Sequence, residues 1–196
     1  MIATKLSLAD YLSLESGPEN RCEFVDGEIL EMPPESSLNT VIAVFLMAQF
    51  LKVFPFTYLR HKDTEVVVAG RVRLPDLLVL GADLAQTLAG SRRSTITEAM
   101  PAPLVVVEVV SPGKANADRD YRYKRSEYAA RGIAEYWIVD PMVEKVTILT
   151  LVDGLYEAEE FRGDEQLRSH QVPALTLTAA QLLQPASTLT NQSAQM

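Results

Sequence analysis

The chain has 196 residues, 47% hydrophobic and 22% charged, which suits one globular domain with a full core and excludes wholesale disorder. Its net charge of −8 excludes a broadly basic, nucleic-acid-gripping surface, but not a local basic cleft. A lone cysteine, Cys22, excludes an internal disulfide, and no apolar run approaches the ~20 residues of a membrane span.

The expected setting is therefore soluble and cytoplasmic, with no signal peptide, one domain over residues 1–185 and a disordered tail over 186–196. Ser7, Asp10 and a Leu-Tyr-Leu pattern predict a short first helix. In RCEFVDGEILEM, Asp26-Gly27 between two alternating segments predicts a hairpin, broken by Pro33-Pro34. Ser36 or Ser37 caps SLNTVIAVFLMAQFLKVF, which reads as a mostly buried helix because it is long and free of internal Gly and Pro. FTYLR and TEVVVA read as strands, with a turn at Ala69-Gly70.

RVRLPDLLVL, residues 71–80, reads as one more strand with an irregularity at Pro75. Residues 81–102 read as loop with room for a short helix, and PLVVVEVV as a buried strand. NADRDYRYKRSEYAARG predicts a helix ending at Gly132, and EYWIVDP a strand stopped by Pro141. A second hairpin turns at Asp153-Gly154, and VPALTLTAAQLLQP gives a turn and a helix. Strand, helix and strand over 103–140 form a β-helix-β unit, which suits a parallel pair covered on both faces. The expected class is mixed α/β, with antiparallel hairpins at both ends.

The acid in PLVVVEVVSPG needs an explanation. Val106, Glu108 and Val110 share one face of the strand. An unpaired buried carboxylate is costly, so Glu108 pairs with a cation, keeps a proton or binds a metal. For a single buried acid the structural ion pair is the commoner outcome. Asp76, after Pro75, is a turn acid or the partner of Glu108. Two carboxylates facing each other repel unless a divalent cation lies between them. Mg²⁺ suits one or two carboxylates with water and a phosphate oxygen, and it activates water and polarises phosphate. Lys124 makes either an i,i+4 surface pair with Asp120, worth ~0.3–0.5 kcal/mol, or a cation facing the strand ends that steadies charge or orients water.

Taken together, Pro75-Asp76, EVVSPG at 108–113, D-x-x-x-K-x-x-x-Y at 120–128 and GIAEYWIVDP at 132–141 resemble the Uma2 family. That family, formerly a domain of unknown function, resembles the PD-(D/E)XK restriction-endonuclease-like superfamily. The N-terminal CEFVDGEIL resembles its Tyr-Glu-Leu-x-x-Gly-Glu segment, and the likeness runs from about residue 6 to 180. The resemblance implies a restriction-endonuclease-like core, a mixed central sheet flanked by helices. It also implies hydrolysis of phosphodiester bonds, with DNA as the expected substrate and Mg²⁺ or Mn²⁺ as cofactor. Asp76 and Glu108 then correspond to the metal-binding acids. The usual lysine two residues past the second acid is here Val110, and Lys124 matches the position to which the family's lysine has moved. Glu23 matches an N-terminal glutamate that serves as a further metal or water ligand; equally, it is a cross-strand partner in the first hairpin.

His61 and His170 lack metal-ligand spacing, and His61 reads as a surface residue. Tyr136 and Trp137 read as core. No nucleotide-cradling glycine motif is present. Arg92, Arg93, Arg119, Arg122, Lys124, Arg125 and Arg131 form a local basic cluster that reads equally as a phosphate contact or a solvated helix face. The leading expectation is a metal-dependent nuclease, with a homodimer as the form that would pair two basic clefts. The alternative is an inactive nucleic-acid-binding or oligomeric structural protein on the same fold.

Overall fold

The structure, a computed structural model, describes residues 5–14 and 20–185; the tail over 186–196 lies outside the described residues. Ser7 and Asp10 cap helix α1 (Leu8–Leu12) reciprocally, each side chain accepting from the other's backbone N–H. Strands β1 (Cys22–Val25) and β2 (Glu28–Glu31) form the first hairpin. Its turn residues Asp26 and Gly27 both have positive φ, 53° and 89°, which Asp-Gly tolerates best. Ser36 caps helix α2 (Ser37–Phe50). A single 3₁₀ turn (Phe56–Tyr58) leads into β3 (Leu59–His61), β4 (Glu65–Val68), β5 (Arg71–Arg73) and β6 (Leu77–Val79).

Helix α3 (Ala82–Leu88), β7 (Thr95–Ile96) and β8 (Val105–Val109) follow. One helical stretch then runs through α4 (Lys114–Asp118), a π-helical segment (Arg119–Lys124) and α5 (Arg125–Arg131). Gly132 ends it in the left-handed conformation that a Cβ would penalise. The chain closes with β9 (Glu135–Asp140), the hairpin β10 (Lys145–Val152) and β11 (Leu155–Phe161), and α6 (Ala179–Leu183).

The strands form two mixed sheets, ordered β2-β1-β5-β4-β7 and β11-β10-β9-β8-β6-β3. β8 and β9 pair in parallel around the helical stretch 114–131, as the β-helix-β pattern predicts. One face of the six-stranded sheet, carrying Val105, Val107, Trp137 and Ile148, packs under α2 and α6. The other face, carrying Leu78, Val106, Tyr136 and Ile138, packs with α3, α5 and β4. Tyr11 of α1 stacks on Phe24 over the five-stranded sheet, with ring centroids 5.0 Å apart.

Two expectations need correction. Residues 71–80 are not one strand: β5 lies in the first sheet and β6 in the second. Pro75 has no N–H to give a ladder, so the chain changes sheets across Leu74-Pro75-Asp76. Helix α2 is buried on one side only. Ile42, Ala43, Leu46 and Phe50 face the core, whereas Leu38, Val41 and Val44 are 44–47% exposed. The helix is apolar all round, so its sequence carries no periodicity to reveal the outward face.

Candidate active site

Alternation along β8 sends Val105, Val107 and Val109 to the α2 side and Val106 and Val110 to the α5 side, and Glu108 goes with the latter. There its Oε1 accepts from Lys124 Nζ at 2.8 Å and from the Tyr128 hydroxyl at 2.7 Å. Lys124 Nζ also lies 3.0 Å from Glu23 Oε1 and 3.8 Å from Asp120 Oδ1. Lys124 and Asp120 are each 1% exposed, so their i,i+4 pairing is buried and not the surface pair that spacing alone suggests. The π-helical turn that holds both is wider than an α-helical one, a local feature found often at functional sites. The Tyr136 hydroxyl donates to the Asp120 carbonyl within it, at 3.1 Å.

Asp76 arrives from the break at Pro75. Leu77 pairs with Val107, and carrying that register one residue further sets Asp76 opposite Glu108. The Asp76 Oδ2 accepts from Val109 N at 2.7 Å, which fixes the carboxylate against β8. Its Oδ1 lies 3.8 Å from Lys62 Nζ, which is itself 3.0 Å from Glu35 Oε2. Asp76, Glu108, Glu35 and Arg119 line one narrow cleft.

Glu23 is 1% exposed and ties the five-stranded sheet to the helical stretch. Its Oε2 accepts from Arg73 Nη1 at 2.7 Å, while its Oε1 faces Lys124 and the Leu74 N–H. Arg73 in turn grips Glu127 through Nε at 2.7 Å and Nη2 at 2.8 Å. The Glu23 side chain therefore serves the cluster rather than its hairpin neighbour Leu30.

The electrostatics separate the acids. Burial alone would raise Glu23, but Lys124 and Arg73 hold it down to about 2. Burial, aided by Glu35, raises Asp76 to about 6 against the Val109 N–H and Lys62. Burial also pushes Glu108 up to about 8; Lys124 pulls the other way, and Asp120, Asp76 and Glu23 add to the rise. Lys124 stays firmly protonated despite its burial, because Glu108, Glu23 and Asp120 surround it. Asp120 Oδ2 is buried without a hydrogen-bond partner. Asp76 and Glu108 are therefore less fully compensated by cations than Glu23.

All four residues singled out in the sequence, Asp76, Glu108, Lys124 and Glu23, belong to this network. Val110, in the usual lysine position, is 2% exposed and packs in the core beside Tyr128. The sequence pointed to no role for Lys62, Glu35 or Arg73, and it marked Tyr128 only as the last residue of the 120–128 motif. The spacing of four from Lys124 puts Tyr128 on the same helix face, whereas nothing local to Lys62, Glu35 or Arg73 linked them to the acids. The basic cluster disperses: Arg93 pairs with Glu65, while Arg125 and Arg131 donate to backbone carbonyls. Arg119 alone of these lines the cleft with the two acids. His61 is not a surface residue but a half-buried member of β3 whose Nε2 has no partner.

A divalent cation fits the acids in one respect. Asp76 and Glu108 each have one oxygen fixed by donors, and their raised affinity for protons marks a place where positive charge is wanted. Among the described residues no three His, Cys, Asp or Glu side chains converge as a complete ligand set. A hard cation held here would draw its remaining ligands from water and substrate.

Two mixed sheets with flanking helices, and acids at the strand ends beside a helix-borne lysine, define a nuclease-like α/β fold. The chain matches Uma2, described as a putative restriction endonuclease, over residues 8–180, and it belongs to that family. It is similar to the crystal structure of a putative nuclease belonging to DUF820 from Anabaena variabilis ATCC 29413, with a TM-score of 0.68 at 17% identity. That similarity covers 91% of this chain and 97% of the other, and at such identity it establishes the fold. No curated protein matches the chain significantly. Among the described residues no helix is long and apolar enough to cross a membrane.

Proposed function

We propose that this protein is a metal-dependent nuclease that hydrolyses phosphodiester bonds, with DNA as substrate and Mg²⁺ or Mn²⁺ held by Asp76 and Glu108. The observation that carries this reading is the contact of Lys124 with Glu108, 2.8 Å from Nζ to Oε1, on an acid that faces Asp76 across the β6–β8 ladder. A divalent cation bound there supplies Lewis acidity toward the phosphate and lowers the pKa of a bound water.

The chain's own residues do the rest. The Val109 N–H orients Asp76, and Tyr128 with Lys124 orients Glu108. Lys124 is enclosed by carboxylates and acts through Glu108, opposing the proton uptake that burial favours and aiming the carboxyl group at the cleft. Glu23, with both oxygens engaged, holds Lys124 in turn. Arg119 faces the cleft, where a phosphate would meet it. A homodimer and a cytoplasmic setting are consistent with this activity.

Mn²⁺ or Mg²⁺ titration against plasmid and single-stranded substrates, with wild type beside Glu108→Gln, tests the reading. Metal-stimulated cleavage that the variant lacks supports it. Equal activity in the two removes Glu108 from the chemistry.

A further inference from the structure

Lys124 cannot touch a substrate, since it is 1% exposed and enclosed by Glu23, Glu108 and Asp120. A phosphate entering the cleft needs a cation on its open side. Lys62 lies there. Its side chain, 11% exposed, reaches from the β3–β4 turn to 3.0 Å from Glu35 Oε2 and 3.8 Å from Asp76 Oδ1. Its backbone has a φ of 59°, a conformation uncommon for a side-chain-bearing residue and costly unless the surroundings require it. Glu35 and Asp76 both line the cleft, so the ammonium that pairs with both lies just behind its wall.

We propose that Lys62 is the substrate-facing lysine of this site, held on Asp76 and Glu35 until a divalent cation takes its place and then free to contact the scissile phosphate. The inference rests on the metal-dependent reading above. Two cations cannot share Asp76 Oδ1 without strong repulsion. Metal arrival therefore drives the ammonium off Asp76, and an incoming phosphate offers it a new partner. Lys62 thus competes with the metal before substrate binds and assists it afterwards. Glu35 is the positioning residue that keeps the ammonium at the cleft in the first state.

Two measurements test this. In the wild-type protein, acetylation of Lys62 by a mild acylating reagent, read by mass spectrometry, rises several-fold when Mn²⁺ is added without nucleic acid. An unchanged yield overturns the proposal. Calorimetric Mn²⁺ titration of wild type, Lys62→Met and Asp76→Asn gives the second readout. Lys62→Met binds Mn²⁺ about tenfold more tightly, yet cleaves plasmid about a hundredfold more slowly at saturating Mn²⁺. Lys62→Arg recovers part of the cleavage. Unchanged or weaker Mn²⁺ affinity in Lys62→Met, or undiminished cleavage, rejects the role of Lys62 while leaving the metal site intact. Mn²⁺ binding by Asp76→Asn equal to that of wild type instead rejects the metal site, and this proposal with it.

Discussion

Lys124 Nζ and Glu108 Oε1 are 2.8 Å apart, although one residue stands on a helix and the other on the strand before it. The residue two beyond Glu108, Val110, is a buried valine that brings no charge to the acid. The positive charge comes instead from the helix, at the end of the π-helical segment.

Val110→Lys should not give the site a second working lysine. The position is 2% exposed and packed beside Tyr128 and Tyr136. A lysine there buries an ammonium with its carboxylate neighbour already engaged by Lys124. The expected loss is on the order of 3 kcal/mol or more. Urea unfolding of wild type and variant measures it; a variant as stable as wild type would show that the pocket can admit a second cation.

Glu23 should dominate part of the acid limb of stability. Its carboxyl is held down to about 2, below the value of about 4.5 expected in an unfolded chain. The unfolded chain takes up this proton first as pH falls. The stabilisation is therefore complete above pH ~4.5 and disappears towards pH ~2, an effect on the order of 3 kcal/mol for a fully buried group. Glu23→Gln should be less stable than wild type at pH 7, with the gap narrowing sharply by pH 2.5. A constant gap across that window would contradict the linkage.

Asp76 and Glu108 have the opposite sign. Their carboxyls are raised to about 6 and about 8, so the native protein holds protons there that the unfolded chain has already shed. Metal-free stability should fall as pH rises from ~5 to ~8, because the unfolded chain binds fewer protons across that range. Mn²⁺ competes with those protons, so its affinity should climb over the same interval and its stabilising effect should be largest at the alkaline end. Thermal melts with and without Mn²⁺ at pH 6 and 8.5 decide it. A metal-induced shift that is the same at both values counts against ligation by these acids.

Asp76→Asn separates architecture from chemistry. The amide oxygen can still accept from Val109 N, so the β6–β8 contact survives and stability should change by less than about 1 kcal/mol. Metal-stimulated cleavage should nonetheless disappear. Asp76→Ala should lose both, and a cleaving Asp76→Asn variant would show that the position is structural.

Tyr128→Phe removes a donor from Glu108 without opening a cavity. Hydrogen bonds to charged groups are worth about 1.5–3 kcal/mol, so a loss in that range is expected at high pH. The Glu108 carboxyl should rise further, since the lost donor favoured the ionised form. An alkaline displacement of the metal-binding profile, followed by calorimetry, is the specific sign; a purely structural role would leave the profile in place.

Much of this was legible in the chain. Both Asp-Gly hairpins, the Ser7 cap, the Gly132 stop and the parallel pair around the long helix carry local signals, because turn and cap chemistry is written in neighbouring residues. The sharing of one strand face by Val106, Glu108 and Val110 followed from strand alternation alone. The sheet change at Pro75 was visible only as an irregularity, since the partner of each half is a distant strand. Lys62 and Glu35 were silent for the same reason: 27 positions separate them, and no periodicity links a turn lysine to a residue before a helix. The π-helical segment was illegible as well, because one widened turn alters facing without altering composition.

The crossing at Leu74-Pro75-Asp76 also has a temporal meaning. Glu23 and Arg73 belong to the five-stranded sheet, whereas Glu108 belongs to the six-stranded one, and Lys124 is gripped from both. A chain with only the six-stranded sheet in place brings Asp76 beside Glu108 but leaves Lys124 without Glu23. Full assembly of the charge network therefore waits on both sheets, and an incompletely folded chain lacks a finished site.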